Sequence, residues 1–254
     1  MDFELDKKVI LITGGAQGIG AAIARAVAAE GAVPVIIDRC SDPARALQTE
    51  TGGLAIILDL TSPENCRRAV QETMEKFSRI DGLVNNAGVN DRVGLERGSP
   101  EQYVASLERN LLHYYNMAHY ALPALKASRG AIVNIASKTA VTGQGDSSGY
   151  ASSKGAIFAL TREWAVELLA YQIRVNAVVP AEVMTQLYRT WLETFPDPET
   201  KLAGIISRIP LGRRMTTAEE IASMAVFLLS SKAGHITGQH IFVDGGYVHL
   251  DRAI

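Results

Sequence analysis

Seven short runs of mostly β-branched and aliphatic residues recur along the chain: Val9 to Thr13, Val33 to Asp38, Leu54 to Leu58, Gly82 to Asn85, Ala131 to Ala136, Ile173 to Val179 and Ile241 to Val243. Several are apolar throughout instead of alternating. That is the pattern of parallel strands buried on both faces. Such strands need helices on either side, and the segments between them supply helical patterns with readable starts. Ser62-Pro63-Glu64 places a cap before a first-turn proline. Ser99-Pro-Glu-Gln102 and Thr216-Thr-Ala-Glu219 have the form of capping boxes. The order β-α-β-α predicts an α/β fold, a doubly wound sheet of seven parallel strands flanked by helices on both faces. At 254 residues, with no repeat, low-complexity tract or linker, one domain over 1–254 is expected. One stretch breaks the rhythm. Between Ala181 and Leu211 no strand is expected, and Phe195-Pro-Asp-Pro198 interrupts a mostly helical segment. An insertion at the carboxyl edge of such a sheet is placed to act as a substrate lid, at about 181–211.

Composition excludes several classes. The net charge of −2 offers no broad basic field for nucleic acid or an anionic membrane. The two cysteines, Cys40 and Cys66, have no metal-ligand spacing, which argues against a disulfide scaffold and for a reducing compartment. The N-terminus shows no signal-peptide pattern, and no apolar run approaches the ~18 residues of a membrane span. A cytoplasmic protein is expected. The five histidines, His113, His119, His235, His240 and His249, form no metal-spaced cluster, so structural or surface roles and no metal are expected. Gly-x-Ser-x-Gly, the nucleophile turn of α/β hydrolases, is absent.

The first strand runs into Thr13-Gly14-Gly-Ala-Gln17-Gly18-Ile19-Gly20. Glycines here let the backbone pass close to a pyrophosphate, and the next helix, from about Gln17 to Glu30, would aim its free N–H groups at it. The spacing is one residue longer than the common dinucleotide fingerprint, and such a turn alone is equally compatible with a simple tight turn. Asp38 adds weight. It ends the second strand 18 residues after Gly20, where a carboxylate can accept from both adenosine-ribose hydroxyls and repel a 2′-phosphate. Arg39 beside it could instead pair with a phosphate. NAD is favoured over NADP.

Tyr150-Ala-Ser-Ser-Lys154 carries the chemistry, with Ser137 lying 13 residues upstream. Oxidising an alcohol removes a hydride from carbon and a proton from oxygen, so a base must sit at the hydroxyl. A tyrosine with a pKa of ~10 is a poor base near neutral pH. A nearby ammonium and the positive nicotinamide ring both favour the phenolate. Residues four apart share a helix face, which brings Lys154 beside Tyr150. Ser137, ending the fifth strand, would hydrogen-bond the substrate oxygen.

Thr13-Gly-x-x-x-Gly-x-Gly20, Asn85-Asn-Ala-Gly88, Ser137, Tyr150-x-x-x-Lys154 and Pro180 together resemble the short-chain dehydrogenase/reductase family in its compact form, from about Lys7 to Tyr247. The resemblance implies a Rossmann fold. It implies that Asp59 and Leu60 border the adenine, that Asn86, Ala87 and Gly88 line the cofactor, and that Pro180, Val183 and Thr185 lie at its nicotinamide end. It also implies that Lys154 reaches the nicotinamide ribose and that Asn110 anchors a proton-relay water. The family commonly forms tetramers, with the helices carrying Asn110 and Tyr150 packed across one two-fold. Ile221 to Leu229, with Phe242 to Gly246, would fit the second interface. The tail from Tyr247 to Ile254 would reach a neighbouring pocket or cap the sheet. Where the family usually has glycine after Pro180, Ala181 stands here.

Substrate-facing candidates, besides Ser137 and Tyr150, are Asn90, Asp91, Lys138, Gln144, Glu182, Met184 and, on the lid, Trp191. Most can hydrogen-bond, which suits a polyhydroxylated substrate better than a steroid or acyl chain; loops are polar in any case, so some could simply face solvent. Gly88-Val-Asn-Asp91, Ser137 to Gly145, Asn176 to Met184 (Ala181 included) and Asp244 to Asp251 resemble a subgroup of the family, the bacterial L-fucose dehydrogenases. That likeness implies oxidation of L-fucose or a related aldose at the anomeric carbon, giving a lactone. The alternatives are a relative acting on another alcohol or ketone (hydroxysteroid, 3-oxoacyl thioester, sugar acid) or a non-catalytic NAD-binding regulator, which would be expected to lose Ser137, Tyr150 or Lys154.

Overall fold

The chain folds as the apolar runs require. The computed structural model describes residues 2–250. In chain order its elements are β1 (Val9–Thr13), α1 (Gly18–Ala29), β2 (Val33–Asp38), α2 (Ser41–Thr51), β3 (Leu54–Ile57), α3 (Pro63–Phe77), β4 (Gly82–Asn85) and α4 (Pro100–Leu107). There follow α5 (His113–Ser128), β5 (Ala131–Ile135), α6 (Ser148–Glu167), β6 (Arg174–Pro180), α7 (Gln186–Leu192), α8 (Pro198–Ile206), α9 (Ala218–Leu229) and β7 (His240–Val243). Each strand boundary lies within one residue of its expected place. Among the described residues the seven strands form one parallel sheet in the order β3-β2-β1-β4-β5-β6-β7.

The pleat explains why the strands carry no polar face. In β1, Val9 and Leu11 pack into one buried cluster with residues of α3, α5 and α6, while Ile10 and Ile12 pack into a second with α1, α2 and α9. Neighbouring strands divide in the same way: Val35 and Ile37 on one side against Ile36 on the other, and Leu83 against Val84. Each face therefore has its own helix layer and core, the doubly wound Rossmann arrangement. The buried residues of α9, among them Ile221, Ala225 and Val226, are spent in the second core. The part of the tail from Asp251 to Ile254 lies outside the described residues.

Helix starts follow the sequence with two adjustments. Ser99 and Gln102 form the expected reciprocal box at α4. At α9 the box is Thr217 with Glu220, one residue later than the expected Thr216 and Glu219. The reason is that Thr216 is still extended: it bridges Val183, and its N–H donates to the Glu182 carbonyl. Ser62 occupies the N-cap of α3, but its hydroxyl makes no capping bond. The segment after Ala181 holds no strand, only α7 and α8, divided at the Phe195-Pro-Asp-Pro198 stretch as expected.

At the amino edge of the sheet a buried carboxylate fixes β1. Asp81 accepts from the Val9 N–H (2.9 Å) and takes a two-pronged bond from Arg79 (2.8 and 2.7 Å), with the Lys8 ammonium 3.4 Å away. Burial by itself would raise this carboxyl's pKa; Arg79, the Val9 N–H and Lys8 outweigh it and hold it below the usual range. A depressed native pKa gives stability that is present above the unfolded pKa of ~3.9 and is lost as pH falls through the lower native value. Asp81→Asn should therefore unfold more easily by about 2 kcal/mol near neutral pH. That gap should close in acid. Urea unfolding at a series of pH values checks this, and equal midpoints at pH 7 would contradict it.

Candidate active site

The order of strands along the chain switches sides between β1 and β4, and a cleft of about 460 Å³ opens at the carboxyl ends of the strands there. The Thr13 hydroxyl oxygen accepts from the Asn86 and Ala87 N–H groups (2.9 and 3.1 Å), and the Asn86 amide donates to the Thr13 and Gly14 carbonyls (2.9 and 3.0 Å). These bonds seat the glycine turn against the loop after β4. The turn tolerates no side chain at two points. Gly14 has φ +59° and lies so close to Ala87 that a Cβ would fall 2.8 Å from its Cα. A Cβ on Gly20 would meet the Gly14 carbonyl at 2.2 Å. The first turn of α1 has neither a capping side chain nor an acidic residue, so its N–H groups are left to an anion.

The sequence-derived cofactor residues converge on this cleft. Gly14, Gln17, Gly18, Ile19, Asp38, Arg39, Asp59, Leu60, Asn86, Ala87, Gly88, Tyr150, Lys154, Pro180, Val183 and Thr185 line it. Gly20 stands behind the wall. Asp38 is anchored by the Ala16 and Cys40 N–H groups, one on each carboxylate oxygen (both 3.0 Å). Asp59 accepts from the N–H and hydroxyl of Thr61, and the backbone bond holds its carboxyl below the usual range.

Ser137 and Tyr150 line the cleft on its far side. Burial raises the Tyr150 phenol above its ordinary pKa, and the neighbouring Ser137 hydroxyl opposes that rise. Lys154, 2% exposed, donates to the Tyr114 hydroxyl (3.0 Å) and the Ile135 carbonyl (2.8 Å), and the Tyr114 hydroxyl donates to that same carbonyl (2.9 Å). Its ammonium lies 5.5 Å from the Tyr150 ring centroid. Burial lowers its pKa to about 7.

Asn110 sits in a π-helical turn, Glu108–Leu112, that joins α4 to α5. The wider turn turns its side chain inward. Its carbonyl accepts from the Val89 N–H (2.7 Å) and its amide donates to the Ser106 carbonyl (3.0 Å). Asn110 thus sits behind Gly88, where a Cβ would come within 3.0 Å of its Oδ1. π-Turns occur mostly as single interruptions of α-helices, and frequently at functional sites.

The substrate candidates divide. Asn90, Ser137 and Tyr150 line the cleft; Asp91, Lys138, Gln144, Glu182, Met184 and Trp191 do not. Asp91 is committed elsewhere, to the Ser106 hydroxyl (2.9 Å) and the Arg109 guanidinium (3.0 Å). Lys138 and Glu182 are paired with each other, and Glu182 also accepts from the Tyr188 hydroxyl (2.7 Å). Gln144 is exposed on the loop before α6. Met184 is half-buried, and Trp191 packs edge-on against Tyr188 and Phe195.

The sequence reasoning missed Tyr114, whose spacing of four from Asn110 was the available signal, and the cleft-lining Gln186, Leu187 and Tyr188 of α7. It also placed His113 among structural or surface histidines. His113 is 2% exposed and lines the cleft, and no spacing signals that. Among the described residues no cluster of three or more His, Cys, Asp or Glu could hold a metal, and no helix is long and apolar enough to cross a membrane.

A glycine-turn anion site at the switch point of a doubly wound sheet, facing a Ser-Tyr-Lys set, defines an oxidoreductase acting on CH–OH groups with a nicotinamide cofactor. Residues 14–248 match the family model described as enoyl-(acyl carrier protein) reductase. The chain belongs to the short-chain dehydrogenase/reductase family. It is 38% identical over 241 residues to the L-fucose dehydrogenase of Bos taurus, covering 94% of this chain and 88% of that one. It is 36% identical to the 3-oxoacyl-[acyl-carrier-protein] reductase of Thermotoga maritima, covering 96% and 99%. Among solved structures it superposes on the Cj0485 dehydrogenase with a TM-score of 0.96 at 47% identity, covering 100% of this chain and 99% of that one. The ligand-free aldohexose dehydrogenase of Thermoplasma acidophilum gives 0.92 at 31% identity, with the same coverage.

A buried ammonium carries a stability cost with a definite pH signature. The Lys154 pKa is depressed from about 10.5 to about 7. Between those values the unfolded chain holds a proton that the folded protein has released, so stability rises with pH across that window; below about 7 the cost is fully present. Lys154→Met should remove this rise and be at least as stable as the parent at pH 7, while losing turnover. Thermal melts from pH 6 to 10 measure it, and an unchanged slope would count against it.

Proposed function

We propose that this protein oxidises a sugar at its anomeric carbon with NAD, taking L-fucose or a related aldose to the lactone. The observation that carries the polyol part is a polar cluster that reaches the cleft through Tyr188. Lys138 follows Ser137, Glu182 lies two residues past Pro180, and the two form a nearly buried ion pair to which Tyr188 adds a hydroxyl. Burial, then the Glu182 charge, push the Tyr188 phenol far up, so it stays a donor. Such donors and acceptors match sugar hydroxyls and oppose an acyl chain. The L-fucose and aldohexose dehydrogenases among the relatives support the same choice.

The residues assign the roles. Bound nicotinamide would supply the hydride acceptor. Tyr150 takes the proton from the C1 hydroxyl, and Ser137 holds the hydroxyl oxygen in place. Lys154, fixed by Tyr114 and the Ile135 carbonyl, favours the phenolate with its charge. Asn110 braces the loop after β4 through Val89 and stands behind Gly88. Asp38, locked by two backbone N–H groups, presents a fixed negative charge to the adenosine ribose and disfavours a 2′-phosphate. Residues 181–211 act as the lid, with Gln186, Leu187 and Tyr188 forming its inner face. The exposed Leu112, Tyr115, Val166 and Leu169 on the π-turn, α5, α6 and the turn beyond it support pairing of those helices in a homotetramer.

Absorbance at 340 nm during mixing with NAD or NADP and a panel of aldoses, polyols, steroids and 3-hydroxyacyl thioesters tests the proposal. Reduction of NAD by L-fucose or its stereochemical relatives is expected, and reaction with acyl thioesters alone would overturn it. Tyr150→Phe should lower kcat at least about 100-fold while NADH still binds, since a positioned base contributes about that much or more. Asp38→Ser should raise the NADP-to-NAD ratio of kcat/KM by at least about tenfold, or 1.4 kcal/mol. An unchanged ratio would remove Asp38 from the choice of cofactor.

A further inference from the structure

The loop after β4 carries one amide whose two ends are used unequally. Asn90 is half-buried and lines the cleft together with Ser137 and Tyr150. Its Oδ1 accepts from the Arg92 N–H (3.2 Å) and from the Ser147 hydroxyl (3.1 Å). A backbone N–H can only donate, so the oxygen and nitrogen of this amide are not interchangeable. Nδ2 keeps both of its N–H groups without a protein acceptor among the described residues. Unlike the orphaned buried atoms of Asn85 and His113, it stays accessible. It is the polar atom this side chain has left for a molecule in the cleft.

The neighbours hold that amide still. On one side the Val89 N–H donates to Asn110 (2.7 Å), and on the other Asp91 is held by Ser106 (2.9 Å) and Arg109 (3.0 Å). Ser147 stands at the N-cap of α6, yet its hydroxyl caps no N–H of that helix and is given to Asn90. Asn90 is thereby tied to the start of the helix that carries Tyr150. A group fixed in this way loses little freedom when a partner docks. Because what it has left is a donor, it selects an oxygen. Ser137 and Tyr150 already engage the reacting hydroxyl, so the partner is a second oxygen of the same molecule. We propose that Asn90 orients the substrate, its Nδ2 donating to an oxygen on a carbon other than the one oxidised. A sugar carries such oxygens, and an apolar alcohol with one hydroxyl has none. The proposal rests on the sugar reading above and gives it a contact separate from Tyr188.

The test measures kcat/KM for the best aldose of the panel and for analogues that each lack one of its other ring hydroxyls, in the parent and in Asn90→Ala. The parent should prefer the full sugar to at least one analogue by about fivefold or more, as one lost hydrogen bond predicts. In Asn90→Ala that preference should fall at least about threefold, while the ratios for the other analogues stay as they were. If Asn90 only braces the loop, the substitution lowers kcat/KM for every sugar by one factor and, through Gly88, weakens NADH as well. Unchanged ratios in a sugar-active parent and variant therefore overturn the contact alone. A parent that oxidises no sugar overturns the substrate reading, and the contact falls with it. Nicotinamide fluorescence on adding NADH shows whether the variant is folded. Should it not be, Asn90→Ser, whose short hydroxyl can still accept from the Arg92 N–H, is read in the same way.

Discussion

The contact on which the site depends is the seam between β1 and β4. The chain leaves β1 toward β2 on one side and returns to β4 on the other, so the turns above these strands part and a cleft opens between them. Thr13 and Asn86 set how far they part. One hydroxyl and one amide satisfy four backbone groups that the sheet leaves unpaired at its carboxyl edge. The close approach of Gly14 to Ala87 and of Gly20 to the Gly14 carbonyl follows from that spacing. A bulkier residue at either glycine would wedge the seam and move the α1 N-terminus away from its anion.

From this seam the polar network runs inward along the neighbouring strands. Asn85 on β4 donates to Asn134, its register partner on β5, and Asn134 donates to Thr161 on α6 (both 3.0 Å). That chain pins the helix that carries Tyr150 and Lys154. Lys154 in turn meets Tyr114 on α5 and the end of β5. Two helices and two strands are thus referenced to one ammonium. Its burial is unfavourable in isolation, and the surrounding apolar cores supply the stability that allows it.

Sequence legibility follows physical range. The strands are legible because both faces are covered, which leaves no polar alternation to confuse their limits. The glycine turn, Asp38, Ser137, Tyr150 and Lys154 are legible because each stands at a strand end or at a fixed helical spacing. Tyr114, His113 and the π-turn are not, because their roles come from a third dimension the spacing does not encode. Tyr114 reads as an ordinary core aromatic until Lys154, 40 residues away, is seen against its hydroxyl. The partners of Asp91 are hidden for the same reason: a loop acid reads as free, and only the folded chain shows Ser106 and Arg109 holding it.

The two ends of the cleft solve opposite problems. At the cofactor end the polar groups are fixed before any ligand arrives: Asp38 by two N–H groups, Asp59 by Thr61, and the turn by Thr13. Fixed groups bind one shape well, because little conformational freedom is lost when it docks. At the other end Lys138, Glu182 and Tyr188 satisfy one another across the gap between the β5 end, the β6 end and α7, and of the three Tyr188 lines the cleft. On the proposed sugar reading, a hydroxyl that meets Tyr188 joins groups already aligned, so its desolvation is offset. An acyl chain or steroid would offer the Tyr188 hydroxyl no polar partner, and covering a polar group without one is unfavourable. On that reading, discrimination against apolar alcohols arises from the hydration that Tyr188 loses when they bind.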